Sequence, residues 1–138
     1  MSAVYSVDVT ITAPVNDTEV TSRVADAVRN LFPEADPGHR DGELVAEVHA
    51  MEGFSEALHR AEILDTARSV FFGRLSGNRF EFDLKKQAAF EGRVNFAVGE
   101  PAELGDIHVA VTVREPDAEA VIDYIAPPTE DGTPVDTE

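Results

Sequence analysis

The sequence contains no cysteine, and only two of its 138 residues are lysines. Without cysteine, the chain can form no disulfide, no thiolate metal site and no cysteine nucleophile. No run of apolar residues approaches the roughly 18 that a membrane-spanning helix needs, and residues 1–12 hold no basic segment followed by an apolar one. These absences predict a cytoplasmic protein without a membrane span.

Acidic residues outnumber basic ones by 27 to 11, which gives a net charge of −16. The basic residues are nine arginines and the two lysines, Lys85 and Lys86. A charge of this size destabilises a compact chain by self-repulsion, and molar salt relieves it because the Debye length shrinks to about 3 Å at 1 M. The composition favours a halophilic protein, with an ordinary acidic protein that has a solvated surface as the alternative.

The length fits one domain, which we expect to span residues 1–126, and the acidic, proline-bearing end predicts a disordered tail at residues 127–138. Alternating apolar residues predict strands at 5–11, 44–48, 80–84, 94–98 and 107–113. Helical spacing predicts helices at 20–31, at 55–72 with a bend that divides it, and at 118–125; Asn16 and Glu19 predict a capping box before the first. The order β-α-β-α-β-β-β-α and the clean alternation predict an α+β fold with a mostly antiparallel sheet and helices on one face.

Motifs for catalysis and for metal binding are missing from this pattern. The four histidines form no pair at the spacing of metal ligands, and carboxylate pairs are uninformative in so acidic a chain. No nucleophile elbow is present, and the glycines at 73 and 77 lack the lysine of a phosphate-binding loop. We therefore expect neither an enzyme nor a bound metal or cofactor.

The basic residues concentrate in one part of the chain. Residues 60–93 hold seven basic and five acidic residues, whereas the other 104 residues hold four basic and 22 acidic ones. Lys85, Lys86 and Gln87 follow a predicted strand and predict an exposed basic loop that meets an anion such as nucleic-acid phosphate. The alternative is ion pairing within the chain, since Arg68 follows Asp65 by three residues on a predicted helix.

Four short motifs resemble, in their order, those of a small archaeal family. They are ILDTAR at 63–68, KQAA at 86–89, GRVNF at 92–96 and LGDI at 104–107. The members of this family are uncharacterised and are described as predicted RNA-binding or exosome-associated proteins. The resemblance covers the chain from about residue 4 to 127. It implies a fold similar to that of the ribosomal protein that binds 5S RNA, RNA and an RNA-processing complex as partners, and, with the acidic composition, a haloarchaeal origin.

The resemblance also bears on individual residues, although at position 85 this sequence has lysine where the family pattern has asparagine. It carries over to Asp65, Thr66, Arg68, Lys86, Gln87, Arg93 and Asn95. Together with the basic segment it predicts a nucleic-acid site formed by Arg68, Lys85, Lys86, Gln87, Arg93 and Asn95.

The function predicted from these residues is that of a non-catalytic RNA-binding or RNA-processing accessory protein. One alternative is a protein-interaction module, dimeric through the open sheet face or an edge strand. Another is an enzyme or binder for a small anionic ligand, with a pocket beside Asp65, Lys86 and Gln87. The same polar residues are also compatible with a structural cluster that holds the second helix on the sheet.

Overall fold

The computed structural model describes residues 5–98, 105–130 and 133–134. No helix formed by these residues is long and apolar enough to cross a membrane. The elements follow the order β1 (Ser6–Pro14), α1 (Thr21–Leu31), β2 (Gly38–Arg40), β3 (Glu43–Val48), α2 (Glu52–Ala61), α3 (Leu64–Gly73), β4 (Arg79–Lys85), α4 (Lys86–Phe90), β5 (Asp106–Glu115), α5 (Ala118–Ile125), β6 (Thr129–Glu130) and β7 (Thr133–Pro134).

Five strands form one antiparallel sheet in the order β2-β3-β1-β5-β4. The long strands β1 and β5 lie at the centre, where Val9 stands opposite Val111 and Ile11 opposite Val109. Strands β2 and β4 form the two edges of the sheet. The predicted α+β class and the mostly antiparallel sheet are confirmed.

One face of the sheet forms the core, and the other carries mainly polar side chains. Strands β1, β4 and β5 bury every second residue, as the alternation predicts. Helix α1 contacts β1, helix α3 contacts β4 and helix α5 contacts β5. Phenylalanine rings fill the space between helices and sheet, with the ring of Phe71 centred 4.9 Å from that of Phe82 and 5.8 Å from that of Phe96. Each fully buried ring contributes about 1.5–3 kcal/mol by leaving water.

The predicted strand at 94–98 is instead a single bridge against the edge of β4. Leu84 pairs with Phe96, and the amide of Ala97 donates to the carbonyl oxygen of Asp83 at 2.8 Å. Val94 and Phe96 are buried and Asn95 is exposed, so the alternation is real. Alternation reports which side chains face the core, but it does not report how many ladder hydrogen bonds a segment makes.

Two short elements that precede β5, namely β2 and α4, were not predicted. All three residues of β2 are exposed, so the strand has no alternation to detect. Helix α4 spans five residues directly after β4, which is too short for a helical repeat, and it occupies the position of the predicted basic loop. The loop prediction is therefore corrected to a short helix.

The helix boundaries refine the prediction in two places. The bend predicted within 55–72 lies at Glu62, which has a left-handed backbone with a φ of 59° and separates α2 from α3. Asn16 and Glu19 bond to each other, but in a turn that precedes α1, whose first residue is Thr21.

The described part of the predicted tail contains a small hairpin. Strands β6 and β7 pair Thr129 with Pro134 and Glu130 with Thr133. The rest of the tail lies outside the described residues, so the division into a domain and a disordered tail stays a prediction.

Candidate nucleic-acid interface

The end of β4 brings two predicted site residues side by side at the edge of the sheet. Lys85 is the last residue of β4, and its side chain is exposed because its neighbour Leu84 faces the core. The backbone amide of Lys85 donates to the carbonyl oxygen of Asn95 at 2.8 Å. Asn95 is exposed as well, so both polar side chains are available to solvent.

Helix α4 turns the chain back immediately after Lys85. Its Gln87 side chain is exposed, whereas Ala88 and Ala89 are buried. The side-chain amide of Asn30 donates to the carbonyl oxygen of Ala89 at 2.9 Å and so ties α1 to α4. One side of this helix is therefore packed, and the other presents Gln87. We name residues 85–96 the α4 corner.

Lys86 lies on the packed side of the α4 corner, and only 3% of its side chain is exposed. Its ammonium donates to the carbonyl oxygen of Pro14 at 2.7 Å and to Oε1 of Glu19 at 3.0 Å. The expectation that Lys86 contacts nucleic acid is corrected by this placement, since a buried, paired ammonium offers no surface to a phosphate.

Glu19 completes this buried network with 7% of its side chain exposed. Its Oε1 also accepts hydrogen bonds from the backbone and side-chain amides of Asn16, at 3.0 and 2.9 Å. Burial by itself would raise the pKa of Glu19, but the hydrogen bonds from Asn16 and Lys86 outweigh that effect and hold the pKa below its usual value. The carboxylate is thus ionised at neutral pH, and Lys86 fixes α4 both to the turn that holds Glu19 and, through Pro14, to the end of β1.

Arg93 occupies the outer side of the α4 corner. Gly92, with a φ of +75°, turns the chain so that the amide of Arg93 donates to the carbonyl oxygen of Ala88 at 2.9 Å. The Arg93 side chain is 68% exposed and contacts Oε1 of Glu91 at 2.6 Å. An exposed pair of this kind contributes at most about 1 kcal/mol, so the guanidinium can exchange this partner for another anion.

A groove of about 510 Å³ lies beside Arg93, between the α2–α3 bend and residues 93–98. We name it the corner groove. Ile63, Val70 and Val94 contribute to its apolar walls, and its polar lining residues include Thr66, Arg93 and Asn95. The groove thus unites two predicted site residues with Thr66, which belongs to the first motif of the resemblance.

Arg68 lies apart from the corner groove. Its guanidinium donates to Oδ1 of Asp123 at 2.8 Å and to the carbonyl oxygen of Ala126 at 2.9 Å, and it lies 5.2 Å from the centre of the Phe72 ring. These contacts join α3 to α5. The sequence predicted Arg68 as part of the nucleic-acid site, with pairing to Asp65 within the chain as the alternative; in the structure its carboxylate partner is Asp123.

The alternative of a small-ligand site predicted a pocket beside Asp65, Lys86 and Gln87. None of these three residues lines the corner groove. Asp65 instead accepts a hydrogen bond from the hydroxyl of Thr129, and Lys86 binds Pro14 and Glu19. These contacts favour structural roles for Asp65 and Lys86.

Comparison with known proteins shows which family this chain belongs to. A family model described as RNA binding matches residues 8–114. A UPF0201 protein of Methanopyrus kandleri is 39% identical over 92% of this chain and 89% of its own length, and one of Sulfurisphaera tokodaii is 35% identical over 91% and 90%. The chain belongs to the archaeal UPF0201 family. The resemblance to an RNA-binding archaeal family is therefore confirmed, while exosome association and a haloarchaeal origin stay predictions.

Solved structures agree with this membership. The crystal structure of a UPF0201 protein from Methanococcus jannaschii is 34% identical, with a TM-score of 0.86 over 94% of this chain and 99% of that one. A UPF0200/UPF0201 protein of Archaeoglobus fulgidus is 35% identical over 94% of this chain, and the chain spans 40% of that relative's length. A sequence similar to this chain thus also occurs as one part of a longer protein.

The open face of the UPF0201 sheet carries a cluster of one histidine and two carboxylates that the sequence analysis did not predict. His108 places Nδ1 at 2.8 Å from Oδ1 of Asp83 and Nε2 at 2.8 Å from Oε1 of Glu81. Partial burial by itself would lower the pKa of His108, but these hydrogen bonds outweigh it and raise the pKa above its usual value. Period-two alternation put all three residues on the outer face, but only the β4–β5 register brings them together.

A second cluster on the same face joins Asp8, Glu47 and His49, whose donor atoms lie within 4.8 Å of one another. These residue types can ligate a divalent metal. The cluster is largely exposed. Nδ1 of His49 lies 3.1 Å from Oδ1 of Asp8, and Oδ2 of Asp8 binds Arg114 at 2.6 Å. The sequence missed this group because its members lie on two strands, β1 and β3, and around the end of β3.

Proposed function

We propose that this UPF0201 protein is a non-catalytic RNA-binding protein that acts as an accessory in RNA processing. The outer side of the α4 corner is the proposed interface. The observation that supports it most is that the α4 corner exposes four polar side chains, Lys85, Gln87, Arg93 and Asn95, of which Arg93 and Asn95 line the corner groove. The description of the matching family model as RNA binding supports the same partner.

Each of these side chains has a distinct role in the proposal. Arg93 offers a planar guanidinium that can bind a phosphate through two hydrogen bonds, and Lys85 offers a compact positive charge. Gln87 and Asn95 carry amides that can both donate to phosphate oxygens and pair with base edges or the ribose 2′-hydroxyl. Lys86 and Arg68 contribute indirectly, because they hold α4 and α3 in place.

Electrostatics alone are unfavourable for this partner, since the chain carries a net charge of −16. Long-range repulsion from RNA is screened by salt, but so is the attraction of a few basic residues for phosphate. We therefore propose that contact hydrogen bonds and apolar burial at the α4 corner supply most of the affinity. A cytoplasm rich in salt is the setting in which such an acidic RNA-binding protein operates best.

A non-catalytic role agrees with the chemistry of the corner groove. Among the described residues that line it, the polar ones are Thr66, Arg93 and Asn95. None of these is a carboxylate or a histidine, so the lining offers no general base at neutral pH. Binding is therefore better supported than turnover.

The test begins with purification from the native host in high salt, followed by crosslinking and sequencing of the RNA that is recovered. The test variant is Lys85→Glu/Arg93→Glu. The matched control is Arg23→Glu/Arg29→Glu, which reverses two exposed charges on α1; Arg29 forms a surface pair with Asp26 as Arg93 does with Glu91. We expect defined RNA with the wild type and the control, and at least about tenfold less recovered RNA with the variant, since a tenfold loss of affinity follows from about 1.4 kcal/mol of lost binding free energy.

Two results would count against the proposal. Recovery of no RNA above background from the wild type would remove RNA as the partner and favour a protein-interaction module. Equal RNA recovery by all three proteins would leave RNA binding in place but move the interface away from the α4 corner.

A further inference from the structure

The walls of the corner groove are unusually apolar for the surface of so charged a protein. Val98 at its rim is 74% exposed, and Ile63 and Val70 are half-buried. Apolar side chains left in contact with water gain free energy when a ligand covers them. The groove's volume of about 510 Å³ lies within the range of about 300–1,000 Å³ that is typical of small-ligand pockets.

The polar groups of the groove stand at its edge and match the chemistry of one ligand class. Thr66 offers a hydroxyl and Asn95 an amide, and both can pair with the edge of a heterocycle. Arg93 also lines the groove and places a positive charge beside this apolar slot.

A nucleobase has apolar faces, a polar edge and a phosphate on either side along the chain. These three features correspond to the apolar walls, to Thr66 with Asn95, and to Arg93. In a duplex the base faces are stacked and cannot enter a groove, whereas single-stranded RNA can turn a base out. We propose that the corner groove binds one unstacked nucleobase of single-stranded RNA, an inference that rests on the proposed function.

This mode of binding also meets the electrostatic difficulty of an acidic RNA binder. Contacts to a base face are nearly independent of salt, because they release no counterions. Exposed aromatic rings are the usual platform for a base. The groove lacks one among its described lining residues, since Phe96 is 6% exposed and packs its ring against Phe71 and Phe82. Aliphatic walls take that place here.

The test compares three probes: a short single-stranded RNA of mixed sequence, its duplex, and an abasic ribose-phosphate chain of the same length. The abasic chain keeps every phosphate and removes every base. The groove-filling variant is Thr66→Trp, at an exposed position on α3, and the matched control is Thr21→Trp, at an exposed threonine on α1. Circular dichroism establishes that both variants are folded, and fluorescence anisotropy gives the affinities.

We expect the wild type and Thr21→Trp to bind the single strand at least about tenfold more tightly than the duplex or the abasic chain. Thr66→Trp should lose about tenfold in affinity for the single strand and little for the other two probes. Equal binding of all three probes, unaffected by Thr66→Trp, would overturn the groove inference and leave the proposed function standing. Failure of the wild type to bind any probe would instead overturn the proposed function.

Discussion

The two lysines of the chain are consecutive in sequence, yet they lie on opposite sides of the α4 corner. The inner side holds Lys86, which is 3% exposed and bound to Pro14 and Glu19. The outer side holds Lys85, which is exposed next to Asn95. The same residue type therefore serves architecture on one side and, in our proposal, contact with RNA on the other.

This difference separates two meanings of a basic segment in an acidic protein. A buried cation with a buried carboxylate partner maintains the fold, and its removal leaves an uncompensated charge. An exposed cation contributes little to stability and is available to a ligand. We therefore expect substitutions on the inner side to change the free energy of unfolding, and substitutions on the outer side to change the affinity for RNA.

The largest effect is expected on the inner side, for Lys86→Met. Loss of the ammonium leaves the ionised Glu19 buried, which should lower the free energy of unfolding by about 3 kcal/mol. For a chain of this size the midpoint of thermal unfolding should fall by about 10 °C. Thermal denaturation in fixed salt measures the change.

The matched control for that prediction is Lys85→Met, which should change the free energy of unfolding by less than about 0.5 kcal/mol. The double variant Glu19→Leu/Lys86→Met should recover much of the loss, because both charges are then absent. Similar destabilisation by Lys85→Met and Lys86→Met would break the distinction between the two sides.

Arg68→Met should give a smaller loss of stability. Its guanidinium bonds to Asp123 and Ala126 with 23% of the side chain exposed, so we expect about 1–2 kcal/mol from the lost charged hydrogen bonds. Urea denaturation measures this, with Arg74→Met at the exposed end of α3 as the control. The affinity for RNA should stay the same. A loss of RNA binding by an Arg68→Met protein that remains stable would instead indicate that Arg68 contacts RNA.

Substitutions on the outer side should change the salt dependence of RNA binding. For single strands, each neutralised phosphate contributes about 0.7 to the slope of log affinity against log salt. Lys85→Gln/Arg93→Gln should therefore make the slope shallower by about 1.4, as measured by anisotropy titrations at several KCl concentrations. An unchanged slope with Lys85→Gln/Arg93→Gln would show that neither side chain contacts a phosphate.

The smallest effect is expected from the open sheet face, where the ionic groups are more exposed. The pKa of His108 is raised in the folded protein, so its stabilisation is fully present below the unfolded-state pKa of about 6.5. It is lost as the pH rises through the folded-state value. The stability advantage of the wild type over His108→Gln should shrink as the pH is raised through this window.

Chemical denaturation across that pH range tests the histidine prediction. In a Glu81→Gln/Asp83→Asn background the carboxylates that raise the pKa of His108 are absent and only the burial that lowers it remains, so the advantage of His108 over His108→Gln should no longer shrink as the pH rises. An advantage that grew with pH in the wild type would contradict the assigned charge state.

Much of the fold was accessible from the sequence because the sheet has one buried face. Val7, Val9 and Ile11, for example, alternate with polar residues and stand in the core as predicted. The bridge at 94–98, the exposed strand β2 and the five-residue α4 were missed or misassigned. In each case hydrogen bonding, rather than an apolar pattern, defines the element.

The candidate site was less accessible than the fold, although one signal was present. Lys86 is in phase with Phe80, Phe82 and Leu84, so extending the strand alternation by one step would have placed its side chain inward. The corner groove had no comparable signal. Thr66 and Asn95 are far apart in sequence, and only the packing of α3 beside residues 93–98 brings them together.

In the proposed complex, RNA lies on the outer side of the α4 corner. The most direct measurement is ultraviolet crosslinking of bound RNA, followed by mass spectrometry of the crosslinked peptides. We expect crosslinks within residues 85–98 and within 60–66. Crosslinks concentrated instead on the open sheet face, around Arg79 and Arg114, would contradict it.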